Sequence, residues 1–198
     1  MKKAICLPLI ALALTACLAG KTVANLTPTP DFPAPQLLSK PEKYDAMDYN
    51  TFPVYKLNYT LDDIRPQKPK DTKAIWLTED ATYLVTAYRQ HWEMMYFNMP
   101  GSEFIQDNVT EERHFPIKTI GLPTDTTFWV KGDVGQWNVF VTVYPPLPEG
   151  TTAINIGNTK ALDHIPGTTG WTEPEILLGL RIDELVKNQA KFLQKAPK

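Results

Sequence analysis

Few side chains in this 198-residue chain are suited to covalent or metal chemistry. The imidazoles are His91, His114 and His164. No two are spaced to place both on one helical turn, and Glu93 stands two positions from His91. On a strand those two would share a face, which allows a metal pair but far more often gives a solvated one. Ser39 and Ser102 are the only serines, and neither stands in a Gly-x-Ser-x-Gly elbow. Asp62-Asp63 and Glu111-Glu112 are adjacent carboxylates. Acid–base hydrolysis of a glycoside needs two carboxyls facing each other across a cleft, which neighbours on one loop do not supply. Gly132-x-x-Gly135 precedes a strand pattern, whereas phosphate-binding loops precede a helix. No cofactor or metal set emerges. Lys+Arg 20 against Asp+Glu 22 gives a net −2, so no overall field favours nucleic acid.

The two thiols, Cys6 and Cys17, lie in the first twenty residues. Met1-Lys2-Lys3 is basic, and residues 4–16 are apolar apart from Thr15. Thirteen residues rising 1.5 Å each reach about 20 Å, short of a ~30 Å hydrocarbon core. A cleaved export signal is therefore expected over residues 1–16, and a spanning helix is not. Leu14-Thr15-Ala16-Cys17 resembles the lipobox of bacterial lipoproteins. That resemblance implies cleavage before Cys17, a diacylglycerol on its thiol and a further acyl chain of the palmitate kind on the new amine. The alternative is a plain export signal cut near Ala11-Leu12-Ala13. Two or more chains, at about 0.8 kcal/mol per buried methylene, make a stable membrane anchor. Leu18-Ala19-Gly20 lacks an Asp, which by the same resemblance suits the periplasmic face of the outer membrane over the inner membrane. Without Lys2 and Lys3 the remaining chain has 18 basic and 22 acidic side chains, a net −4.

Residues 17–53 read as the anchor and a Pro-rich spacer. Pro28, Pro30, Pro33, Pro35, Pro41 and Pro53 hold an extended chain of about 3.1 Å per residue. Tyr44, Tyr49, Phe52 and Tyr55 mark where the spacer begins to dock. From residue 54 to 170 the apolar period becomes two. Strands are expected at 54–59, 74–78, 81–89, 91–98, 115–120, 126–130, 137–144 and 151–156, with 102–114 a loop or short edge hairpin. In the longest, Trp137, Val139, Val141 and Val143 line one face, and Asn138, Phe140, Thr142 and Tyr144 the other. Pro145, Pro146 and Pro148 must stop pairing at Tyr144, leaving Leu147 to plug the end of the core.

Three stretches, Leu77–Leu84 (LTEDATYL), Trp137–Thr152 (WNVFVTVYPPLPEGTT) and Leu162–Pro166 (LDHIP), resemble an Ig-like sandwich found in secreted and lipid-anchored bacterial proteins. The resemblance covers about residues 73–166. It implies an antiparallel Ig-like β-sandwich and no shared catalytic residues. Glu79-Asp80 stands where that group has a single acid.

Residues 171–198 change period again. Thr172-Glu-Pro-Glu175 fits a capping box, and Leu178, Ile182, Leu185, Gln189 and Leu193 form one stripe beside Val186 and Phe192. An amphipathic α-helix of about 20 residues is expected, packed on the sandwich or offered to a partner. Gly179 weakens its first turns by about 1 kcal/mol. Aromatic residues make up 11% of the chain, mostly a sandwich core. Trp92, Tyr96 and Trp129 are the alternative, an exposed platform for a protein or glycan, with Trp171 as a further surface anchor. The expected function is a non-enzymatic binding or assembly module tethered to the bacterial envelope through Cys17. Its candidate partner-binding residues are Trp92, Tyr96, Trp129, Leu178, Ile182 and Leu185. An accessory lipoprotein of a secretion or surface-assembly machine is the second reading, and a cell-wall or glycan hydrolase the third.

Overall fold

Alternation of apolar residues creates the strands of this chain, and prolines and glycines end them. The computed structural model describes residues 30–40, 52–61, 64–158 and 177–193. The export signal, Cys17, Tyr44, Tyr49, His164, Trp171 and the Thr172–Glu175 box lie outside the described residues. In chain order the elements are β1 (Gln36–Ser39), β2 (Val54–Lys56), β3 (Thr60–Leu61), a 3-10 turn (Pro69–Thr72), β4 (Lys73–Leu77) and β5 (Thr82–Arg89). Next come β6 (Met94–Asn98), β7 (Glu103–Asp107), β8 (Arg113–His114), β9 (Lys118–Thr119) and β10 (Thr127–Lys131). Last are β11 (Trp137–Tyr144), β12 (Ala153–Asn158), β13 (Leu177–Arg181) and α1 (Ile182–Leu193). The chain is mainly β, with several antiparallel sheets and one C-terminal helix.

A central sheet runs β3-β11-β5-β4, with β9 also on β11. Its spine is the β11–β5 pair, in unbroken register from Trp137 opposite Arg89 to Tyr144 opposite Thr82. Two four-stranded sheets accompany it, β1-β2-β10-β6 and β13-β12-β7-β8. One pair departs from the expected antiparallel pattern: β2 runs parallel to β10.

The faces of β11 sort as its alternation requires. Val139 and Val141 join Val85, Ala87, Ala74 and Trp76 in one buried cluster. On the opposite face Tyr144, Leu84, Ile75 and Leu77 pack with Ile105, Ile154, Ile156 and Leu180 of the β7–β12–β13 sheet. Phe140, on that same face, packs with Phe128 and Val130 of β10. Leu147 closes the first of these two groups.

The helix wraps the open edge of the central sheet. Ile182 and Leu185 are buried in the cluster on one face of that sheet, and Phe192 in the cluster on the other. Between them Asn188 donates from Nδ2 to the carbonyls of Lys70 (3.0 Å) and Lys73 (2.9 Å), and Gln189 from Nε2 to that of Ile75 (2.6 Å). Lys73 and Ile75 belong to β4, whose outer side has no strand neighbour among the described residues. Side-chain amides thus satisfy carbonyls that a further strand would otherwise seek. Tyr59 adds a hydroxyl bond to the carbonyl of Phe192 (2.8 Å).

Several expectations are corrected. Residues 177–181 form a strand and not the start of the helix, because Gly179 takes φ +63° and Leu180 pairs with Ile154 facing the core. The spacer does not extend to residue 53. Phe32 is buried edge-on against Trp76 at 5.5 Å, and β1 pairs with β2. The body therefore includes Phe32 and β1, since an extended Pro-rich chain docks without needing its missing donors satisfied. The expected strand 54–59 stops at Lys56 as β2, and the next strand, β3, starts only at Thr60 and joins the central sheet. The 102–114 segment is a hairpin whose first strand, β7, lies inside its sheet with Ile105 fully buried. The strand expected from His91 begins at Met94, so His91 and Glu93 do not share a strand face, and Glu93 instead pairs with Lys131 at 3.3 Å.

Candidate functional site

The strand β5 ends in Arg89 and β11 begins with Trp137, and antiparallel register sets them opposite one another. Directly opposed side chains on such a pair have Cβ atoms about 5 Å apart. Both continue the face that carries Val85, Ala87, Val139 and Val141, at the end where that apolar row reaches solvent. Arg89 is exposed and Trp137 half-buried.

What lies beneath them is rigid. Gln90 is fully buried, and its Nε2 donates to the carbonyls of Glu93 and Val130, both at 3.2 Å. Its Oε1 accepts from Asn138 Nδ2 at 2.5 Å, and Asn138 Oδ1 accepts from Gln136 Nε2 at 3.0 Å. Backbone bonds from Gln90 N to Gln136 O and from Gly135 N to Gln90 O, each 2.7 Å, close the same loop. Gly135 takes φ +95°, a conformation open to glycine at little cost, and it turns the chain sharply into β11. A satisfied buried amide network of this kind fixes the ends of β5 and β11 and ties them to β10.

Across from this end runs the connector Ile64-Arg65-Pro66. Between the two lies a groove of about 530 Å³, lined by Ile64, Arg65, Pro66, Arg89, His91, Gly135 and Trp137. That is within the range of small-ligand sites, about 300–1,000 Å³. Among the described residues its lining carries two guanidinium groups and an imidazole, and no carboxylate, hydroxyl or thiol side chain. No carboxylate among the described residues pairs with Arg89. A guanidinium beside an indole holds an oxyanion by paired N–H donors and a ring by its face. The lining offers no paired acid and base.

A second polar cluster sits in the β7–β8 hairpin. Asp107, with its side chain fully buried, accepts from the backbone of Val109 (2.8 Å) and Thr110 (2.7 Å), from the Thr110 hydroxyl (2.7 Å) and from His114 Nε2 (2.9 Å). Burial pushes its carboxyl upward, but the bonds from Thr110, His114 and Val109 outweigh that and bring it to about 2. Asp107 and His114 are arranged like the orienting half of a catalytic triad. The Thr110 hydroxyl, however, donates to Asp107 and not to the imidazole, so the cluster locks the hairpin.

The residues expected from sequence do not converge. Tyr96 and Trp129 are cross-strand partners on β6 and β10, half-buried, with rings edge to face at 5.6 Å. Trp92 is apart from the strands, 67% exposed, with His91 against it at 5.8 Å. Leu178 is 71% exposed on β13 and is not on the helix. Ile182 and Leu185 are buried in the core, so they form no surface for a partner. Arg89, Arg65 and Trp137 were not among the expected site residues. The signal was present in Arg89, the charged end of the face begun by Tyr83, Val85 and Ala87. Among the described residues no three His, Cys, Asp or Glu side chains form a metal-binding group, and no helix is long and apolar enough to cross a membrane. No protein-family model, curated protein or solved structure matches the chain.

Proposed function

We propose that the chain is a lipid-anchored protein of the bacterial envelope, whose β-rich body is a non-enzymatic binding module that uses the Arg89–Trp137 groove. The observation that carries the binding role is the Arg89 guanidinium opposite Trp137, which has no carboxylate partner among the described residues, in a groove whose described lining has no carboxylate. Such a lining attracts an anionic or ring-bearing ligand. Its described residues include neither the carboxyl pair of a glycan hydrolase nor a hydroxyl or thiol nucleophile.

The anchor rests on Leu14-Thr15-Ala16-Cys17 after a basic start and a short apolar run. The Ig-like character of the body rests on the motifs around Leu77–Leu84 and Trp137–Thr152. It is supported by a central sheet that buries both faces and by prolines that end β11 at Tyr144. A tether confines the groove near the membrane and raises its local concentration toward envelope partners.

Two measurements on cells test this reading. Wild-type chain grown with an alkyne fatty acid should carry label, and Cys17→Ala should not; an unlabelled wild type overturns the anchor. Crosslinking and recovery of the chain should yield a partner that is depleted by Arg89→Gln. Equal recovery by both overturns the assignment of the groove.

A further inference from the structure

The groove has features that narrow its ligand class. It combines three things: a guanidinium with no carboxylate partner among the described residues, an indole directly opposite on the same sheet face, and an exposed imidazole. A neutral imidazole offers one N–H donor and one acceptor nitrogen, which suits a hydroxyl that both donates and accepts. At Gly135 the space where a Cβ would stand has no atom within 4 Å, so a ring can approach the backbone there. A bare oxyanion would engage the guanidinium and leave the indole and Ile64 unused. An apolar ring would leave the guanidinium without a counter-charge. A ligand that engages all of them has a carboxylate on a ring with one apolar C–H face and hydroxyls at its rim.

We propose that this groove binds an acidic saccharide, a sugar ring bearing a carboxylate. The inference rests on the groove being the binding surface and goes further by naming the ligand's chemistry. Arg89 grips the carboxylate through two parallel N–H···O bonds, and the Trp137 indole takes the C–H face of the ring. His91 bonds a ring hydroxyl, and Ile64 covers the far side. A groove of about 530 Å³ accommodates one or two sugar units.

The test is saturation-transfer NMR on the full chain in detergent micelles, with D-glucuronate and N-acetylglucosamine as observed probes and inorganic phosphate as a competitor of the glucuronate signal. Glucuronate should receive saturation at its ring protons. Arg89→Gln should weaken it by about tenfold or more, the loss expected for a charge-assisted paired contact. N-acetylglucosamine should bind at least about tenfold more weakly than glucuronate, since it lacks the charge. Arg89 is exposed at a strand end, so the variant should unfold at the wild-type temperature, and Arg89→Lys should retain part of the affinity as a point charge.

No saturation of glucuronate overturns the proposal, as does equal binding by Arg89→Gln or by N-acetylglucosamine. Phosphate binding as tightly as glucuronate also overturns it, because the site would then read only an oxyanion. Fatty-acid labelling of the same preparation separates this failure from that of the anchor. Labelled protein that ignores glucuronate refutes the saccharide alone, and unlabelled protein that binds it refutes the anchor alone.

Discussion

Replacing Asp107 by Asn should cost this protein about 1–2 kcal/mol at neutral pH, and the loss should vanish in acid. The carboxyl titrates at about 2 in the fold against an ordinary 3.8. At about 1.4 kcal/mol per pH unit the gap corresponds to about 2–3 kcal/mol, lowered toward about 1–2 because the His114 partner is partly solvated. The origin is geometric. Four donors, from Val109, Thr110 twice and His114, converge on two oxygens. Asn retains one acceptor oxygen and replaces the other with a donor that meets the Thr110 hydroxyl or the His114 nitrogen. A carboxyl whose value is depressed by folding stabilises fully above its unfolded value and loses that contribution as pH falls through the folded one. The wild type should therefore be more stable than Asp107→Asn above about pH 5, and the two should converge by about pH 2. Urea unfolding at a series of pH values measures this, and a Tm difference of roughly 3–6 °C at pH 7 accompanies it. A difference that stays constant from pH 7 to pH 2.5 would refute the account, since it would then arise from packing and not from charge.

Other perturbations probe the rest of the frame. Asn138→Ala strips the partner from the buried Gln90 Oε1 and from Gln136 Nε2, for an expected loss of about 1–3 kcal/mol in chemical denaturation. A loss below about 0.5 kcal/mol there would show that water replaces the amide. Leu147→Ala empties the end of the core and should cost about 2–5 kcal/mol; a surface-like value would place Leu147 outside the core. Gly157→Ala would set a Cβ 2.7 Å from the tip of the Phe104 ring, which pairs with it across β7 and β12. Displacing that buried ring should cost about 1–3 kcal/mol, and the double variant Gly157→Ala, Phe104→Leu should cost less than the sum of the singles.

Strand β11 shows how much was legible in the chain. Its bounds, its two faces, its proline stop and its Leu147 plug all follow from period-two alternation and from the missing donors of proline. Those are local properties, and tertiary structure did not override them. Residues 177–181 show the opposite. Leu178, Ile182 and Leu185 are spaced for a helix, and the final decision came from a left-handed Gly179 and from Leu180 meeting Ile154 across the sheet, neither visible locally. Phe32 sits in a segment that reads as spacer, and only the slot beside Trp76 and Tyr59 makes it core. The groove fell in the same gap. Alternation placed Trp137 on its correct face, but its meeting with Arg89 depends on the register of strands 48 positions apart in sequence. The exposed aromatics drew attention because composition favours large side chains, while the site depends on a charge at a strand end.

The seal on β4 has a temporal consequence. The amides that occupy its carbonyls come from Asn188 and Gln189, 115 and 114 residues later in the chain. Closing so long a loop is slow compared with forming the β4–β5 hairpin. During synthesis, the central sheet can be assembled while its margin still has free carbonyls, open to pairing with another chain. Chains interrupted before residue 188 would keep that margin permanently, so aggregation of C-terminal truncations should exceed what their lost buried area alone would cause. The last turns of α1 are in this sense a built-in timer: the molecule becomes safe to crowd only once they have arrived.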